Sequence, residues 1–422
     1  MNSLQYDAVV IGGGAAGMAA AAEIASHSHS VALIERDPVP GGILLQCIHN
    51  GFGLHEFKQE LTGPEYAERW EQLIGQQNID LFCDTTVLEL NDSAEEQARG
   101  KTMLCVSPAR GMFQINADAV VLATGCRERN RGGIRIPGTR PAGVYTAGLA
   151  QRMVNLEGYL PGRDVVIVGS GDIGLIMARR LTWSGCRVHA VVEIQPYPSG
   201  LTRNISQCLN DFHIPLYLSH VVSAIRGKHR VQSVEITPLV DGRAAAEKSF
   251  SIDCDTLLLS VGLIPSHELA RSMGAEINPL TNGPVVDSRM MTTVPGLFAC
   301  GNVLHVHDLV DFVSAESRRT GSHVAQYLAG YRPELQLRIK AGSNIRYVAP
   351  GAFNPARPEI VYFRPMVVKN NAVVQVLLNT DVIKEYKKPH VQPSEMIEID
   401  TQQLKLDASR FHHDSFLEVR LQ

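Results

Sequence analysis

The chain has 422 residues, enough for two to three domains of about 150 residues each. Its composition, 45% hydrophobic and 19% charged, is that of a folded globular protein and excludes wholesale disorder. The net charge of −4 gives no general attraction to a phosphate backbone, so nucleic acid is not an expected partner.

The first predicted elements form a β-α-β unit. An apolar strand from Tyr6 to Ile11 enters a GxGxxG turn, and an alanine-rich helix to about Ser26 and an apolar strand from Val31 to Ile34 follow. The three glycines of such a turn allow a tight bend, a close approach of the backbone to a pyrophosphate, and close helix packing, and an acid at the next strand tip can accept ribose hydroxyls. This pattern predicts a dinucleotide site made by Gly12, Gly14, Ala15, Ala16, Gly17, Glu35 and Arg36.

The same order of elements recurs in the middle of the chain. A strand from Asp164 to Val168, a helix to about Ser184 and a strand from Arg187 to Val192 surround a second glycine turn. An acid at the strand tip favours an unphosphorylated ribose, and hence NAD over NADP. Asp172 lies inside the turn, where it can repel a pyrophosphate, so a working nicotinamide site and a weakened or lost one both stay open. The predicted contacts are Gly169, Gly171, Gly174 and Glu193.

A later segment also occurs twice, from Asp118 to Gly125 and from Asp255 to Gly262. Two copies of one unit in the same order predict an α/β fold with two Rossmann-like dinucleotide-binding domains, the second inserted in the first. We expect residues 1–126 and 256–332 to form the first dinucleotide-binding domain and residues 127–255 the second. Residues 333–422, with alternating apolar runs, are expected to form a small, mainly β C-terminal module.

The eight cysteines are scattered, and none forms a CxxC or CxxxxC pair. This spacing argues against zinc, iron–sulfur and redox-disulfide sites and favours reduced thiols. No set of histidines and acids has the spacing of a dedicated metal site. No signal peptide or bilayer-spanning segment is evident, so we expect a cytoplasmic protein without a membrane span.

These motifs together resemble the pyridine-nucleotide–disulfide oxidoreductase superfamily over roughly residues 5–330. In that superfamily the first fold binds FAD and the second binds NAD(P), and the last long helix points its N-terminus at the flavin. The resemblance implies further FAD contacts at Gly42, at Val87 beside the adenine, at the motif Ala123, Thr124 and Gly125, and at Gly301, Asn302 and Asp308. The family has an acid at the position of Asn302, whose amide oxygen can still accept a ribityl hydroxyl.

A narrower resemblance rests on residues 41–53 and 60–66, on Arg127 to Arg129, on Gly169 to Ile176, and on His305 to Asp311. These stretches are similar to the FAD-dependent oxidoreductases encoded beside glycerol-3-phosphate oxidases or dehydrogenases. More distantly, they resemble the FAD subunits of opine, hydroxyproline and hydrogen-cyanide-forming dehydrogenases. The resemblance implies a small-molecule substrate and a partner subunit in an oxidoreductase complex, and it leaves the oligomeric state open, a homo-oligomer included.

Four residues are candidates for catalysis: Cys47, His49, His305 and His307. Disulfide reductases have a CxxxxC pair just after the double glycine. This chain has a single cysteine in that stretch, Cys47, so a dithiol relay at that position is excluded. Its thiol can be buried filler, a residue packed on the flavin, or a redox catalyst. The histidines, with His55, can line a flavin or substrate channel or fill loops, and His412 and His413 are expected on the surface.

Three functions remain open. The leading one is an FAD-dependent oxidoreductase that transfers hydride between NADH and FAD and passes electrons to a partner or a diffusible acceptor without a redox disulfide. The second is the FAD subunit of a multi-subunit dehydrogenase that acts on an amino acid, an opine or glycerol-3-phosphate and keeps only a relic nicotinamide site. The third is a non-catalytic FAD-binding interaction subunit.

Overall fold

The computed structural model describes residues 3–93, 100–331, 337–357, 359–406, 411 and 414–422, so His412 and His413 lie outside the described residues. The chain divides into two compact units. The first comprises Met1–Cys126 and Pro265–Gln422, and the second comprises Arg127–Ile264. The second unit is therefore inserted in the sequence of the first.

The first unit opens with a mixed, mainly parallel sheet flanked by helices. Its helices are α1 (Ala15–Ser26) and α2 (Gly63–Ile74), with a short 3-10 helix at Gly42–Gln46. Its strands are β1 (Ser3–Ile11), β2 (Val31–Ile34), β3 (Asn50–Phe52), β4 (Leu61–Thr62), β5 (Ile79–Phe82), β6 (Thr86–Asp92), β7 (Lys101–Ser107) and β8 (Gly111–Leu122), and β9 (Cys126–Glu128) follows.

The main sheet of this unit has the order β5-β2-β1-β8-β7-β6. β1 runs parallel to β2 and β8, with Ile11 opposite both Ile34 and Leu122, so three strand ends meet at one edge. Two apolar cores cover the sheet, and the alanines of α1 belong to one of them. Small side chains let this helix lie close to the sheet, so its N-terminus is held at the edge where the strands end.

The second unit repeats this design. Its helices are α3 (Arg131–Ile134), α4 (Ala147–Asn155), α5 (Asp172–Trp183) and α6 (Thr202–Cys208), with 3-10 helices at Asn210–Phe212 and Ala246–Lys248. Its strands are β10 (Val144–Thr146), β11 (Asp164–Val168), β12 (Arg187–Glu193), β13 (Leu216–Leu218), β14 (His220–Gly227), β15 (Val231–Val240), β16 (Arg243–Ala244), β17 (Phe250–Asp253) and β18 (Thr256–Leu259), followed by β19 (Leu263–Pro265).

A parallel sheet of order β10-β18-β11-β12-β13 forms the centre of the second unit, and β14 to β17 form an antiparallel sheet. β18 pairs with β11 and β10, although the sequence prediction assigned residues 256 onward to the first domain. The structure therefore differs from the predicted boundary. The reason is the repeat itself, because β18 closes the second sheet beside β11 as β8 closes the first sheet beside β1.

The chain then returns to the first unit through α7 (Glu268–Ser272), β20 (Leu297–Ala299), a 3-10 helix at Gly301–Val303 and α8 (Val310–Leu328). β20 joins the main sheet beside β8. α8 packs on α1 at a close approach, since a Cβ added to Gly321 would lie 2.6 Å from Cβ of Glu23. None of the helices in the described ranges combines the length and apolar character needed to cross a bilayer.

The C-terminal module is mainly β. Its strands are β21 (Leu337–Ala341), β22 (Ile345–Ala349), β23 (Ala352–Phe353), β24 (Ile360–Pro365), β25 (Lys369–Leu378), β26 (Asp381–Val391), β27 (Ile397–Asp400) and β28 (Phe416–Leu421), and a 3-10 helix spans Thr401–Leu404. They form sheets of order β23-β21-β28-β25-β26 and β22-β24-β27 around one apolar core. The whole chain is thus an α/β fold with two Rossmann-like parallel sheets and a β module.

Candidate functional site

The first glycine turn connects β1 to α1 and leaves room for a ligand beside the backbone. Gly12 has φ of +110°, and a Cβ there would lie 2.4 Å from the carbonyl oxygen of Ala123, so only glycine fits. A Cβ added to Gly17 would lie 1.7 Å from the carbonyl oxygen of Gly12, which explains the close packing of helix on strand. A Cβ on Gly14 would meet none of the described atoms within 4 Å, so the backbone is open on that side.

The N-terminus of α1 is free to bind an anion. In the described part of the chain no side chain caps the helix at Gly14, and its first turn, which begins with Ala15 and Ala16, contains no acid. Free N–H groups at a helix start attract a phosphate. Gly42 lies against this turn, since its Cβ would be 3.3 Å from Cα of Gly14. These features fit a dinucleotide pyrophosphate.

Glu35 follows β2 and is buried against the same turn. Its Oε2 accepts the N–H of Gly13 at 2.7 Å, and its Oε1 accepts the N–H of Asp37 at 2.8 Å. A carboxylate offers about four lone-pair directions, so about two remain for ribose hydroxyls. The N–H of Thr85 donates to the backbone oxygen of Glu35, which brings the start of β6, and with it Val87, to this strand tip. Arg36 is exposed beside it.

The segment after β8 closes the turn from below. The N–H of Ala123 donates to the carbonyl of Ile11, and Oγ1 of Thr124 donates to the carbonyl of Ser266, at 2.9 and 2.8 Å. Gly125 has a positive φ of +63°. Gly301 reaches the helix start from the other side, since its Cβ would lie 2.7 Å from Cβ of Ala16. The structure therefore gathers these predicted residues around one turn.

Asn302 and Asp308 have contacts within the protein that the sequence did not predict. Oδ1 of Asn302 accepts the N–H of His307 at 3.1 Å, so one of its two lone pairs is already used. α8 begins at Val310, and Asp308 does not cap it. Instead, Asp308 forms an ion pair with Arg364 at 2.7 Å and accepts the N–H of Met396. Its carboxylate ties the C-terminal module to this loop, and its predicted contact with FAD stays a prediction.

His305 and His307 lie side by side in the protein interior. Their ring centroids are 4.2 Å apart, and both rings are buried beside Glu316 of α8. Nε2 of His305 lies 3.0 Å and Nε2 of His307 lies 3.2 Å from Oε2 of Glu316. Oε1 of Glu316 accepts the N–H of Gly301 at 2.8 Å. These contacts link the histidines to the first glycine turn.

Burial and charge act in opposite directions on this cluster. Burial raises the pKa of Glu316, but the facing His307 and His305 outweigh it and hold that pKa well below its usual range. The pKa of His305 is lowered, chiefly by burial and then by the neighbouring His307. The cluster therefore favours a charged Glu316 and a neutral His305.

Glu316 is the site residue that the sequence interpretation missed. Its atoms and those of His305 and His307 come within 4.8 Å of one another, although no dedicated metal spacing was expected among the histidines and acids. A signal was present, because Glu316 lies in the buried stripe of α8 among Val313, Ser317 and Thr320. A buried acid on a helix face needs a partner.

Cys47 and His49 lie in the loop after the 3-10 helix at Gly42–Gln46. The Cys47 thiol contacts the carbonyl of Ile43 at 3.3 Å, and burial of the thiol raises its pKa to about 12. His49 packs on Phe52, with ring centroids 5.1 Å apart. A thiol with a raised pKa is a poor nucleophile at neutral pH.

His55 belongs to the neighbouring loop and stacks on Phe312, with ring centroids 5.6 Å apart. The buried Asp311 of α8 fixes this loop, because its two oxygens accept the N–H groups of Gly53 and His55. The start of α8 therefore holds this loop through hydrogen bonds from the loop backbone to Asp311, and the ring of His55 takes no part in them.

The second glycine turn has the same backbone frame. Gly169 has φ of +91°, and Glu193 accepts the N–H groups of Ser170 and Gln195, both at 2.9 Å. Glu193 also accepts the hydroxyls of Ser170 and Ser199, both at 2.6 Å. Four hydrogen bonds are as many as a carboxylate ordinarily accepts, so Glu193 is more fully occupied than Glu35.

Asp172 begins α5 after Gly171 and is held in place. Its Oδ1 accepts the backbone N–H of Leu201 at 2.9 Å and Nδ2 of Asn204 at 2.6 Å. A carboxylate therefore stands in the first turn of this helix, where the first unit has Ala15. Gly174 closes the turn, since its Cβ would lie 2.8 Å from the carbonyl oxygen of Gly169.

The sequence profile of the family described as "Pyridine nucleotide-disulphide oxidoreductase" matches residues 6–326. The chain belongs to this family. Its members and relatives are FAD-dependent enzymes that use NAD(P)H, so the chain is an oxidoreductase and a flavoprotein.

Individual relatives are distant. An opine oxidase subunit from Agrobacterium tumefaciens is 28% identical over 70% of this chain and 61% of its own length. An NADH oxidase of Methanocaldococcus jannaschii is 26% identical over 73% of this chain and 65% of its own length. The chain thus spans less than two thirds of these relatives. The crystal structure of T. acidophilum thioredoxin reductase shares the fold, with a TM-score of 0.63 at 22% identity, over 76% of this chain and 98% of its own.

The residues present at the first turn of this oxidoreductase fit FAD. Gly14 leaves open space beside the backbone, the start of α1 has no side-chain cap among the described residues, and Glu35 retains acceptor capacity. The second turn has the same frame, but its acceptor is occupied and an acid stands at its helix start.

A longer repeat also went unnoticed in the sequence. Residues 35–42 read ERDPVPGG, and residues 193–200 read EIQPYPSG. In both copies this segment folds back on its glycine turn: the N–H of Gly41 donates to the carbonyl of Gly13, and the N–H of Ser199 donates to Oγ of Ser170. Alignment of residues 35–42 with residues 193–200 reveals this longer repeat in the sequence.

Proposed function

We propose that this chain transfers hydride between NADH and FAD and passes the electrons to a partner subunit or a diffusible acceptor, without a redox disulfide. The observation that carries the proposal is the pair of matching turns, each with a left-handed first glycine and a carboxylate held by two backbone N–H groups. When bound, the flavin would supply the redox chemistry. The residues of the chain bind and orient the two nucleotides.

The cofactor contacts follow from the two turns. Gly12, Gly14 and Gly17 would bring the backbone to the FAD pyrophosphate, and Glu35 would hold its ribose. Gly42, Val87, Ala123, Thr124, Gly125, Gly301 and Asn302 would complete that site. Gly169, Gly171 and Gly174 would serve the nicotinamide nucleotide, and the Glu193 carboxylate would disfavour the 2′-phosphate of NADPH.

Cys47 is proposed as a packing residue. Its thiol is held at the Ile43 carbonyl, and burial raises its pKa to about 12, so the thiolate form that a redox catalyst needs is disfavoured. The electrons would then leave through an external acceptor. The subunit designation of the opine oxidase relative supports a protein partner.

The test is anaerobic mixing of the purified chain with NADH, followed in the visible flavin band. We expect the band to bleach with NADH at lower concentrations than with NADPH. An oxidised flavin that persists at saturating NADH and NADPH would contradict the proposal, and so would a chain purified without flavin that fails to bind added FAD.

A second candidate has its own observation in favour. Asp172 and the four hydrogen bonds already made by Glu193 weaken the second turn, as expected for a relic nicotinamide site. The chain would then be the FAD subunit of a dehydrogenase for an amino acid, an opine or glycerol 3-phosphate. Co-purification with a second flavoprotein, together with flavin that only that complex reduces, would favour this candidate. Full NADH turnover by the single chain would exclude it.

A further inference from the structure

Glu316 lies between two histidines and is fully buried, since the exposed fraction of its side chain is 0%. The side chains of His305 and His307 are 1% and 0% exposed. Both Nε2 atoms face Oε2 of Glu316, and the backbone N–H of Gly301 faces Oε1. A charged carboxylate in such a place requires a compensating positive charge.

The positions of the hydrogen atoms follow from the acceptors. A carboxylate only accepts, so Nε2 of each histidine must carry a hydrogen. Nδ1 of His307 lies 3.2 Å from the carbonyl oxygen of His305, which also only accepts. His307 therefore carries hydrogen on both ring nitrogens, which makes it an imidazolium. Nδ1 of His305 is buried without a partner among the described residues, and a lone pair is tolerated there better than an N–H group.

We propose that Glu316, His305 and His307 form a buried site that binds one proton, held on His307, and that this proton neutralises Glu316 so that the first glycine turn can bind an anionic cofactor. The second part rests on the assignment of FAD to that turn. The link is Gly301, whose N–H contacts Glu316 while its Cα lies against Ala16 at the start of α1. An uncompensated carboxylate at this place would oppose a pyrophosphate.

Arg364 and Arg319 are the other charged groups that act on the cluster. Arg364 is paired with Asp308, at 2.7 Å. Arg319 donates to the hydroxyl of Tyr362 and also interacts electrostatically with Glu316 and Glu359. The rings of Tyr347 and Tyr362 pack on His305, and Cys300 lies in the field of Glu316. Glu359 lies 3.5 Å from Nε2 of His323, so Arg319 is not reserved for it. The proton on His307 is the positive charge in direct contact with Glu316, at 3.2 Å.

A divalent metal ion is the competing occupant, because two histidines and a carboxylate are donors that such ions accept. An ion bound to Nε2 of His305 would force the hydrogen onto Nδ1, where the described part of the chain offers no acceptor. A buried N–H group without an acceptor is rare. The unpartnered Nδ1 therefore favours the proton.

The experiment uses full-length protein with its bound FAD and three variants: Glu316→Gln, His307→Gln and the double variant. Histidine ¹⁵N spectra at pH 7 should show His307 protonated on both nitrogens, and this signature should vanish in Glu316→Gln. His307→Gln should lose stability to heat and bind FAD at least tenfold more weakly. The double variant should recover most of both losses, since neither charge remains. His323→Gln, a buried change on the same helix next to Glu359, is the control.

Several results would overturn the proposal. These are a neutral His307 in the spectra, a double variant no better than His307→Gln, and a stoichiometric metal ion that disappears with either substitution. If His307→Gln does not fold, the proposal is still tested by the histidine spectra of the unaltered protein and of Glu316→Gln, and by the stability of Glu316→Gln and of the double variant. The spectra and thermal unfolding are also recorded on protein freed of FAD, because bound FAD itself stabilises the folded state. A chain that binds no FAD would contradict the proposed function and the coupling to the turn, while these two readouts on the FAD-free protein would still judge the proton site.

Discussion

The two glycine turns of this chain share a backbone frame and differ in charge. In each, a left-handed glycine leaves the first strand and a carboxylate at the next strand tip accepts two backbone N–H groups. In the first turn the helix starts with alanine, while in the second it starts with Asp172. Glu193 accepts two serine hydroxyls in addition, while Glu35 has none among the described residues.

This difference separates what glycine determines from what side chains determine. Gly12 and Gly169 are required by the path of the backbone, because a Cβ at either would overlap a carbonyl oxygen at 2.4 or 2.0 Å. Affinity for a nucleotide depends on the remaining acceptors and on the charge at the helix start. The first turn favours a nucleotide on both counts, since Glu35 can accept ribose hydroxyls and the start of α1 carries no acid, and the second turn is less favourable on both.

The largest expected effect on stability comes from replacing Gly17, the third glycine of the first turn. In Gly17→Ala, the new Cβ would lie 1.7 Å from the carbonyl oxygen of Gly12, so α1 must move away from β1. We expect a loss of stability of about 3 kcal/mol or more and loss of bound FAD. Gly174→Ala is the matched change in the second turn, where the contact would be 2.8 Å and the loss smaller. Thermal unfolding and the flavin content measure both, and equal losses would contradict the comparison.

Exchanging the charge at the two helix starts is the next test. Asp172→Asn keeps an oxygen for Leu201 and Asn204 but removes the charge, and should tighten NADH binding by about tenfold, as expected for about 1.4 kcal/mol of repulsion. Ala15→Asp should weaken FAD binding by a similar factor. Titration of each nucleotide by fluorescence gives the affinities. Unchanged NADH affinity in Asp172→Asn would show that the charge does not control the second turn.

The sequence predicted the two-sheet fold because the periodic strands, the glycine turns and their order occur twice. It predicted the residues that gather at the first turn, since local motifs define them. It did not predict the partners of Asp308, because Arg364 lies 56 positions away in a different strand. Glu316 is only 11 and 9 positions from His305 and His307, but the turn between them and the start of α8 hides the contact from any regular helix or strand spacing. Charge pairs between distant elements leave no spacing pattern in a single sequence.

Acid should affect the first unit, which contains the buried cluster. The pKa of His305 is lowered by burial and by His307, and that of Glu316 is lowered by the facing histidines. The unfolded chain therefore takes up protons first as the pH falls below about 6.5, and stability is lost from there downward, at about 1.4 kcal/mol for each unit of pKa difference. The signals to follow are flavin fluorescence and thermal unfolding between pH 7.5 and 5. His305→Asn should flatten the upper part of this profile, and an unchanged profile would contradict the role given to His305.

The smallest effect is expected at Cys47, and the comparison of the two turns supplies the reason. Cys47 stands five residues after Gly42, and Ile205 stands five residues after Gly200 in the repeated segment. Ile205 packs against the apolar core of its own unit, so the equivalent position is a packing position.

Cys47→Ser should keep NADH-dependent flavin reduction and turnover within a few-fold, with at most a small loss of stability from burying a hydroxyl. Stopped-flow reduction and steady-state turnover separate the alternatives, since a redox catalyst at Cys47 would leave flavin reduction intact and abolish turnover. Slow alkylation of Cys47 at neutral pH should accompany the packing role, because burial raises the pKa of its thiol to about 12.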